Sequence, residues 1–142
     1  MITSKDCFAR YGDPEKNETK FMILWDVPVC CEHGAIPKRL YCNKDLVPFL
    51  EKAFRNVNER ELADQIKTWG GCFNIRNIRG RTTPSLHSWG IAVDFNEAWN
   101  RLGMKPTMSP ELVKCFTDAG FDWGGVWSRP DGMHMQLSKF PS

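Results

Sequence analysis

The stretch SLHSWGIAVDFN, residues 85–96, decides how the second half of this chain is read. Its end, IAVDF (91–95), alternates. Ile91, Val93 and Phe95 face one way and Ala92 and Asp94 the other, as on a half-buried strand. On one unbroken strand His87 and Asp94, seven positions apart, would point to opposite faces. They converge if the chain turns between them. Ser88-Trp89-Gly90 supplies that turn, because glycine accepts backbone angles closed to other residues. His87 then stands on a loop lip, Asp94 comes from the strand beside it, and Ala92 leaves the floor between them open.

Toward the C-terminus, RPDGMHMQL (129–137) repeats the theme. MHMQL reads as a last strand with Met133, Met135 and Leu137 toward the core and His134 and Gln136 on the opposite side. If it neighbours the 91–95 strand, His134 reaches His87 and Asp94. Two imidazoles and a carboxylate leave a fourth corner of zinc for solvent, as a catalytic site requires. Asp131, three residues before His134, is near that centre without needing to ligate, which is where a general base belongs. The competing reading is that these are ordinary loop and strand residues. Between the two strands, Ser109 is the N-cap of a helix, Pro110 its first residue and Gly120 its stop. Leu112, Cys115, Phe116 and Ala119 are its buried face. FDWGGVW (121–127) reads as a turn.

The N-terminal half reads as mostly helical. Residues 1–20 are polar and partly irregular. Residues 21–28 are a strand ended by Pro28. Residues 36–43 are a loop leading to a helix, capped by Asn43 or Asp45, with Pro48 in its first turn. Val47, Leu50, Phe54 and Val57 form its apolar stripe. Leu62, Ile66 and Trp69 continue helically until Gly70-Gly71. Residues 72–78 look β-like and 79–85 a loop. The expected class is α+β, helices packed on a small antiparallel sheet with one zinc site, in a single domain spanning 1–142.

The 142 residues are 42% hydrophobic and 25% charged, with a formal charge of +2, too small to argue for nucleic acid. Phe21 opens an apolar run too short to span a bilayer, so no membrane insertion is expected. No secretion signal is visible at the start, so the protein is expected to be kept in the cytoplasm unless something else releases it, and a monomer is expected. Six cysteines in a chain without a secretion signal are expected to be reduced. Cys30, Cys31, His33 and Cys42 read either as a small zinc knot or as thiols packed as small apolar groups.

Ser85, His87, Gly90, Ala92 and Asp94 fit the pattern S-x-H-x-x-G-x-A-x-D, and Asp131 and His134 fit D-x-x-H. With the GG-x-W at 124–127, this resembles the zinc peptidases that include D-alanyl-D-alanine carboxypeptidases and the L-alanyl-D-glutamate endopeptidases of phage endolysins. The resemblance is strongest over 69–137, weaker over 21–68 and absent before. It implies a hedgehog/D,D-peptidase-like fold, one catalytic zinc ion held by His87, Asp94 and His134, and Asp131 as the residue that activates water. It implies bacterial peptidoglycan as the substrate, with the L-alanyl-D-glutamate bond preferred over D-Ala-D-Ala because host carboxypeptidases of this kind are usually exported. An arginine ahead of the first motif usually holds substrate. Arg76 and Arg79 are the candidates, Arg76 slightly preferred, against a solvated basic loop. Ser85 either supports the site by a hydrogen bond or is a simple loop serine. Where many relatives carry an aromatic and then a glutamate after the second histidine, this chain has Met135 and Gln136. Gln136 can hydrogen-bond near the metal but cannot act as a base. Trp89, Trp123 and Trp127 read as core or cleft walls, or as stacking surfaces for substrate. A non-enzymatic zinc domain that binds the wall is the rival class.

Overall fold

The computed structural model describes residues 1–32 and 34–142. His33, and with it the grouping of Cys30, Cys31, His33 and Cys42 as a whole, lies outside the described residues. The fold is α+β, with four α-helices and two antiparallel sheets among the described residues. None of these helices is long and apolar enough to cross a membrane.

Two short helices open the chain, α1 (Ser4–Tyr11) and α2 (Pro14–Phe21). This corrects the irregular reading of residues 1–20. Both helices rest on caps more than on apolar content. Thr3 and Asp6 form a reciprocal capping box, and Asp13 caps α2 with Pro14 in its first turn. A hairpin follows, β1 (Met22–Asp26) against β2 (Arg39–Asn43), with Met22 opposite Asn43 and Asp26 opposite Arg39. The expected loop at 36–43 is therefore half strand. Helix α3 (Val47–Glu59) buries Leu50, Ala53, Phe54 and Val57. Its N-cap is Leu46, without a side-chain cap. Asn43 Oδ1 instead accepts from the Asp45 amide, closing the turn before the helix.

The second sheet has the order β3-β4-β6-β5, all antiparallel: β3 (Trp69–Gly71), β4 (Ala92–Phe95), β5 (Phe121–Trp123) and β6 (His134–Leu137). Trp69 is thus in a strand opposite Phe95, not at a helix end, and residues 63–65 form only a 3-10 turn. Residues 121–123, read as part of a turn, are a strand. Residues 72–78 form no strand beyond one bridge, Asn77 to Pro84. Helix α4 (Pro110–Thr117) has its expected caps, with Ser109 Oγ accepting from the Leu112 amide.

The core lies between one face of this sheet and α3 and α4. Phe95 stacks on Phe116 at 4.9 Å and on Trp69 at 6.1 Å, and Phe54 meets Phe116 edge-on at 6.4 Å. Ile91, Val93, Phe95, Met135 and Leu137 are buried on this side. Met133 is not in the core. It lies in the turn before β6 and lines the cleft described next.

Candidate metal centre

Antiparallel pairing puts directly opposed residues on one face. Asp94 is opposite His134 and Ala92 is opposite Gln136, so all four share the face turned away from the helices. His87 arrives from a 3-10 turn, Leu86–Trp89, ended by Gly90 in the left-handed region at φ 66°. A side chain at Gly90 would put Cβ 2.9 Å from the Asn43 amide nitrogen and 2.5 Å from Met22 Sδ. The turn is pinned on every side. Ser85 Oγ accepts from the His87 amide, the Asn74 amide donates to the His87 carbonyl, and Asn43 Nδ2 donates to the Trp89 carbonyl. The first two helices clamp it from outside. Trp89 Nε1 donates to the Gly12 carbonyl, Phe8 meets the Trp89 ring edge-on, and Ser4 Oγ donates to the Pro84 carbonyl.

His87, Asp94 and His134 each offer one ligand atom, all within 4.8 Å of one another. No other such group of three occurs among the described residues. His87 Nε2 lies 3.2 Å from Asp94 Oδ2, and His134 Nδ1 3.4 Å from Asp94 Oδ1. The two imidazoles thus approach opposite oxygens of one carboxylate, close enough for all three side chains to share one ion. The outer nitrogens define the tautomers. His87 Nδ1 donates to the Cys72 carbonyl at 2.7 Å and His134 Nε2 to Gln136 Oε1 at 3.0 Å. The inner nitrogens therefore turn lone pairs toward a carboxylate. Three buried side-chain polar atoms lack a hydrogen-bond partner among the described residues. Two of them, His87 Nε2 and Asp94 Oδ1, belong to this group. Each such orphan costs about 1–3 kcal/mol. Converging lone pairs on buried atoms are relieved by a cation, and nitrogen–oxygen donor chemistry suits a divalent transition ion.

Electrostatics agree. Burial alone would raise the Asp94 carboxyl, but with no ion bound the protonated forms of His134 and His87 beside it outweigh that and hold the acid well below the usual carboxylate range. Burial pulls His134 down, and Asp94 and Asp131 more than reverse that. Asp131 is raised by burial, which His134 offsets only in part. Its Oδ2 is 3.9 Å from His134 Nδ1. Its amide donates to the Gly124 carbonyl, and Gly124 has no room for a Cβ, which would lie 2.5 Å from the Asp131 carbonyl oxygen.

The group opens into a cleft of about 1200 Å³. Arg76, Arg79, Ser85, Trp127 and Asp131 line it. Arg76 and Arg79 are thus on the cleft, and the charge of Arg76 reaches Asp131. Ser85 is buried and acts locally as the cap of the His87 turn. Gln136 bonds His134 and does not face it as a base. Trp127 packs 5.3 Å from the His134 ring, Trp123 Nε1 donates to the Gly132 carbonyl, and Trp89 is core. Sequence reasoning missed the Cys72 carbonyl, a backbone partner with no side-chain signal, and the cleft residues Glu97, Arg101 and Arg129. Two arginines flanking the motif region were the available hint. Of the cysteines, Cys7, Cys31, Cys42, Cys72 and Cys115 are buried as small apolar groups, while exposed Cys30 lies 3.2 Å from Arg55 Nη1.

No curated protein and no solved structure is matched by the chain. Residues 79–137, less than half of its length, match the family described as D-alanyl-D-alanine carboxypeptidase. That span contains His87, Asp94, Asp131 and His134, so the likeness to this peptidase family falls on the group that could hold a metal ion.

Proposed function

We propose that the protein is a zinc peptidase that hydrolyses a stem-peptide bond of bacterial peptidoglycan. His87 Nε2, Asp94 and His134 Nδ1 hold one zinc ion. When bound, zinc polarises the scissile carbonyl and acidifies water, the chemistry of a three-ligand site with an open corner. Cys72 and Gln136 fix the two imidazoles in the ligating tautomer. Asp131 accepts the proton of the attacking water and returns it to the leaving amine. Its raised pKa, caused by burial, suits an acid–base that must hold and then release a proton. Arg76, with Arg79 beside it, supports the developing oxyanion or the substrate carboxylates. The observation that carries this reading is the pair of orphaned buried ligand atoms, His87 Nε2 and Asp94 Oδ1, in a group whose Asp94 and His134 line a large cleft.

We favour the L-alanyl-D-glutamate bond. A cleft of about 1200 Å³ exceeds what a terminal dipeptide needs. The role follows as an endolysin that reaches the wall on release from the host cytoplasm. The matched family's description favours a second reading, removal of a terminal D-alanine. Mass spectrometry of digested peptidoglycan separates the two. A new N-terminal D-glutamate supports the endopeptidase, and released D-alanine the carboxypeptidase. Intact peptidoglycan after incubation with the zinc-loaded protein would reject both and leave a wall-binding domain.

A further inference from the structure

The chain has nine arginines, and they divide cleanly. Arg10, Arg39, Arg55 and Arg60 lie away from the cleft, and each is within 3.3 Å of an acidic side chain. Arg76, Arg79, Arg81, Arg101 and Arg129 all line the cleft. None of these five forms an ion pair among the described residues. Their polar contacts go to backbone instead: Arg76 Nη1 donates to the Asn77 carbonyl and Arg129 Nη2 to the Arg79 carbonyl. Three acids line the same cleft; Asp94 belongs to the metal group, and Asp131 stands 3.9 Å from His134 of that group. The third, Glu97, accepts from Thr68 Oγ1. Five like charges gathered on one concavity repel one another, and folding gains nothing from the arrangement. A ligand with negative charge relieves it.

The charges come from two segments of the chain, which touch where Arg129 Nη2 donates to the Arg79 carbonyl. Arg76, Arg79 and Arg81 belong to the loop tied to the His87 turn through the Ser85 amide and the Arg76 carbonyl. Arg101 and Arg129 belong to the Asp131 side, where the Gly103 amide donates to the Pro130 carbonyl. Asp94 and His134 of the metal group line the same cleft. We propose that Arg101 and Arg129 extend the anion-anchoring surface of Arg76 and Arg79, so that the cleft selects an acidic peptide presenting more than one carboxylate. This deepens the peptidase reading and rests on it for the identity of the ligand as a peptide. The guanidinium fork matches carboxylate geometry, which lysine does not.

The test is calorimetric binding to the zinc-loaded chain carrying Asp131→Asn, which holds substrate without turnover. The probes are a synthetic stem tetrapeptide with free carboxylates and the same peptide with its carboxylates amidated. The free form should bind about a hundredfold more tightly, with Arg76 and Arg79 supplying about tenfold of it, and the preference should shrink as salt rises. Arg101→Gln, which removes a side chain with no hydrogen bond of its own, should cut the preference about threefold. Arg101→Gln with Arg129→Gln should cut it about tenfold, the scale of exposed ion pairs. Arg55→Gln, outside the cleft, should leave it unchanged. Equal affinity for the two peptides, or an unaltered preference in the double variant, overturns the proposal. Peptidoglycan hydrolysis by the unmutated chain is read separately. A carboxylate preference that the double variant lowers, without hydrolysis by the unmutated chain, rejects the peptidase reading and keeps the role of Arg101 and Arg129. Hydrolysis without the preference does the reverse.

Discussion

Replacing Gly90 by alanine should damage the protein in two separable ways. Its φ of 66° is in the left-handed region, where an L-residue costs about 1–2 kcal/mol. The added Cβ would also meet Met22 Sδ at 2.5 Å and the Asn43 amide nitrogen at 2.9 Å. The methionine tip can swing aside. The backbone amide cannot, because it already donates to the Gly90 carbonyl at 3.0 Å. Overpacking of this kind costs about 1–3 kcal/mol, so the total is about 2–5 kcal/mol. For a chain of this size that lowers the melting temperature by about 10 °C. Gly103→Ala is the internal control. Gly103 has φ 86° but nothing within 4 Å of an added Cβ, so it carries the backbone cost alone. Thermal unfolding followed by circular dichroism should rank wild type above Gly103→Ala and Gly103→Ala above Gly90→Ala. The Gly90 variant should also bind zinc more weakly, since His87 rides on the displaced turn. If Gly90→Ala melts no lower than Gly103→Ala, the argument that this glycine is there for close packing is refuted.

Three further outcomes follow from the same geometry. Asp131→Asn should retain metal and lose about 10²- to 10⁴-fold in peptidoglycan hydrolysis, measured by release of soluble fragments, and near-normal turnover would reject Asp131 as the proton carrier. Gln136→Leu removes the acceptor that orients His134 and should weaken zinc binding about 10- to 100-fold in a chelator competition, whereas Gln136→Glu should preserve it; equal affinities in the two variants would show that the His134 Nε2 contact does not matter. Trp89→Phe leaves the Gly12 carbonyl without its donor and should cost about 1–3 kcal/mol in urea unfolding, and an unchanged midpoint would mean that the N-terminal helices do not clamp the His87 turn.

Residues with strong local signals were legible in the sequence. Ser109, Pro110 and Gly120 bracket α4 because caps act within one turn of chain. The alternation of 91–95 and the glycine at position 90 placed His87 and Asp94 on one side, and β4–β6 pairing brought His134 opposite Asp94. What failed did so for identifiable reasons. Residues 1–20 bury little apolar surface, so periodicity is silent, although Thr3 with Asp6 and Asp13 with Pro14 were readable caps. The β2 strand shows one face to solvent and one cysteine and leucine to the core, a pattern also compatible with a loop. Residues 72–78 have strand-like composition but no strand partner. Their backbone serves the His87 turn instead, through the Cys72 carbonyl, the Asn74 amide and the Arg76 carbonyl. Such tertiary uses of backbone leave no trace in residue type. The arginine clustering was invisible for a related reason, because Arg79 and Arg129 are far apart in sequence and meet only in the folded cleft.

The central claim is that two imidazoles and one carboxylate are arranged to hold a single zinc ion. The most direct test is metal content by elemental mass spectrometry, after zinc loading and exhaustive desalting, of the wild-type chain beside His134→Ala. The account requires one zinc per chain in the wild type and far less than one in the variant. A wild-type chain that retains no zinc, or a variant that retains as much, would contradict it.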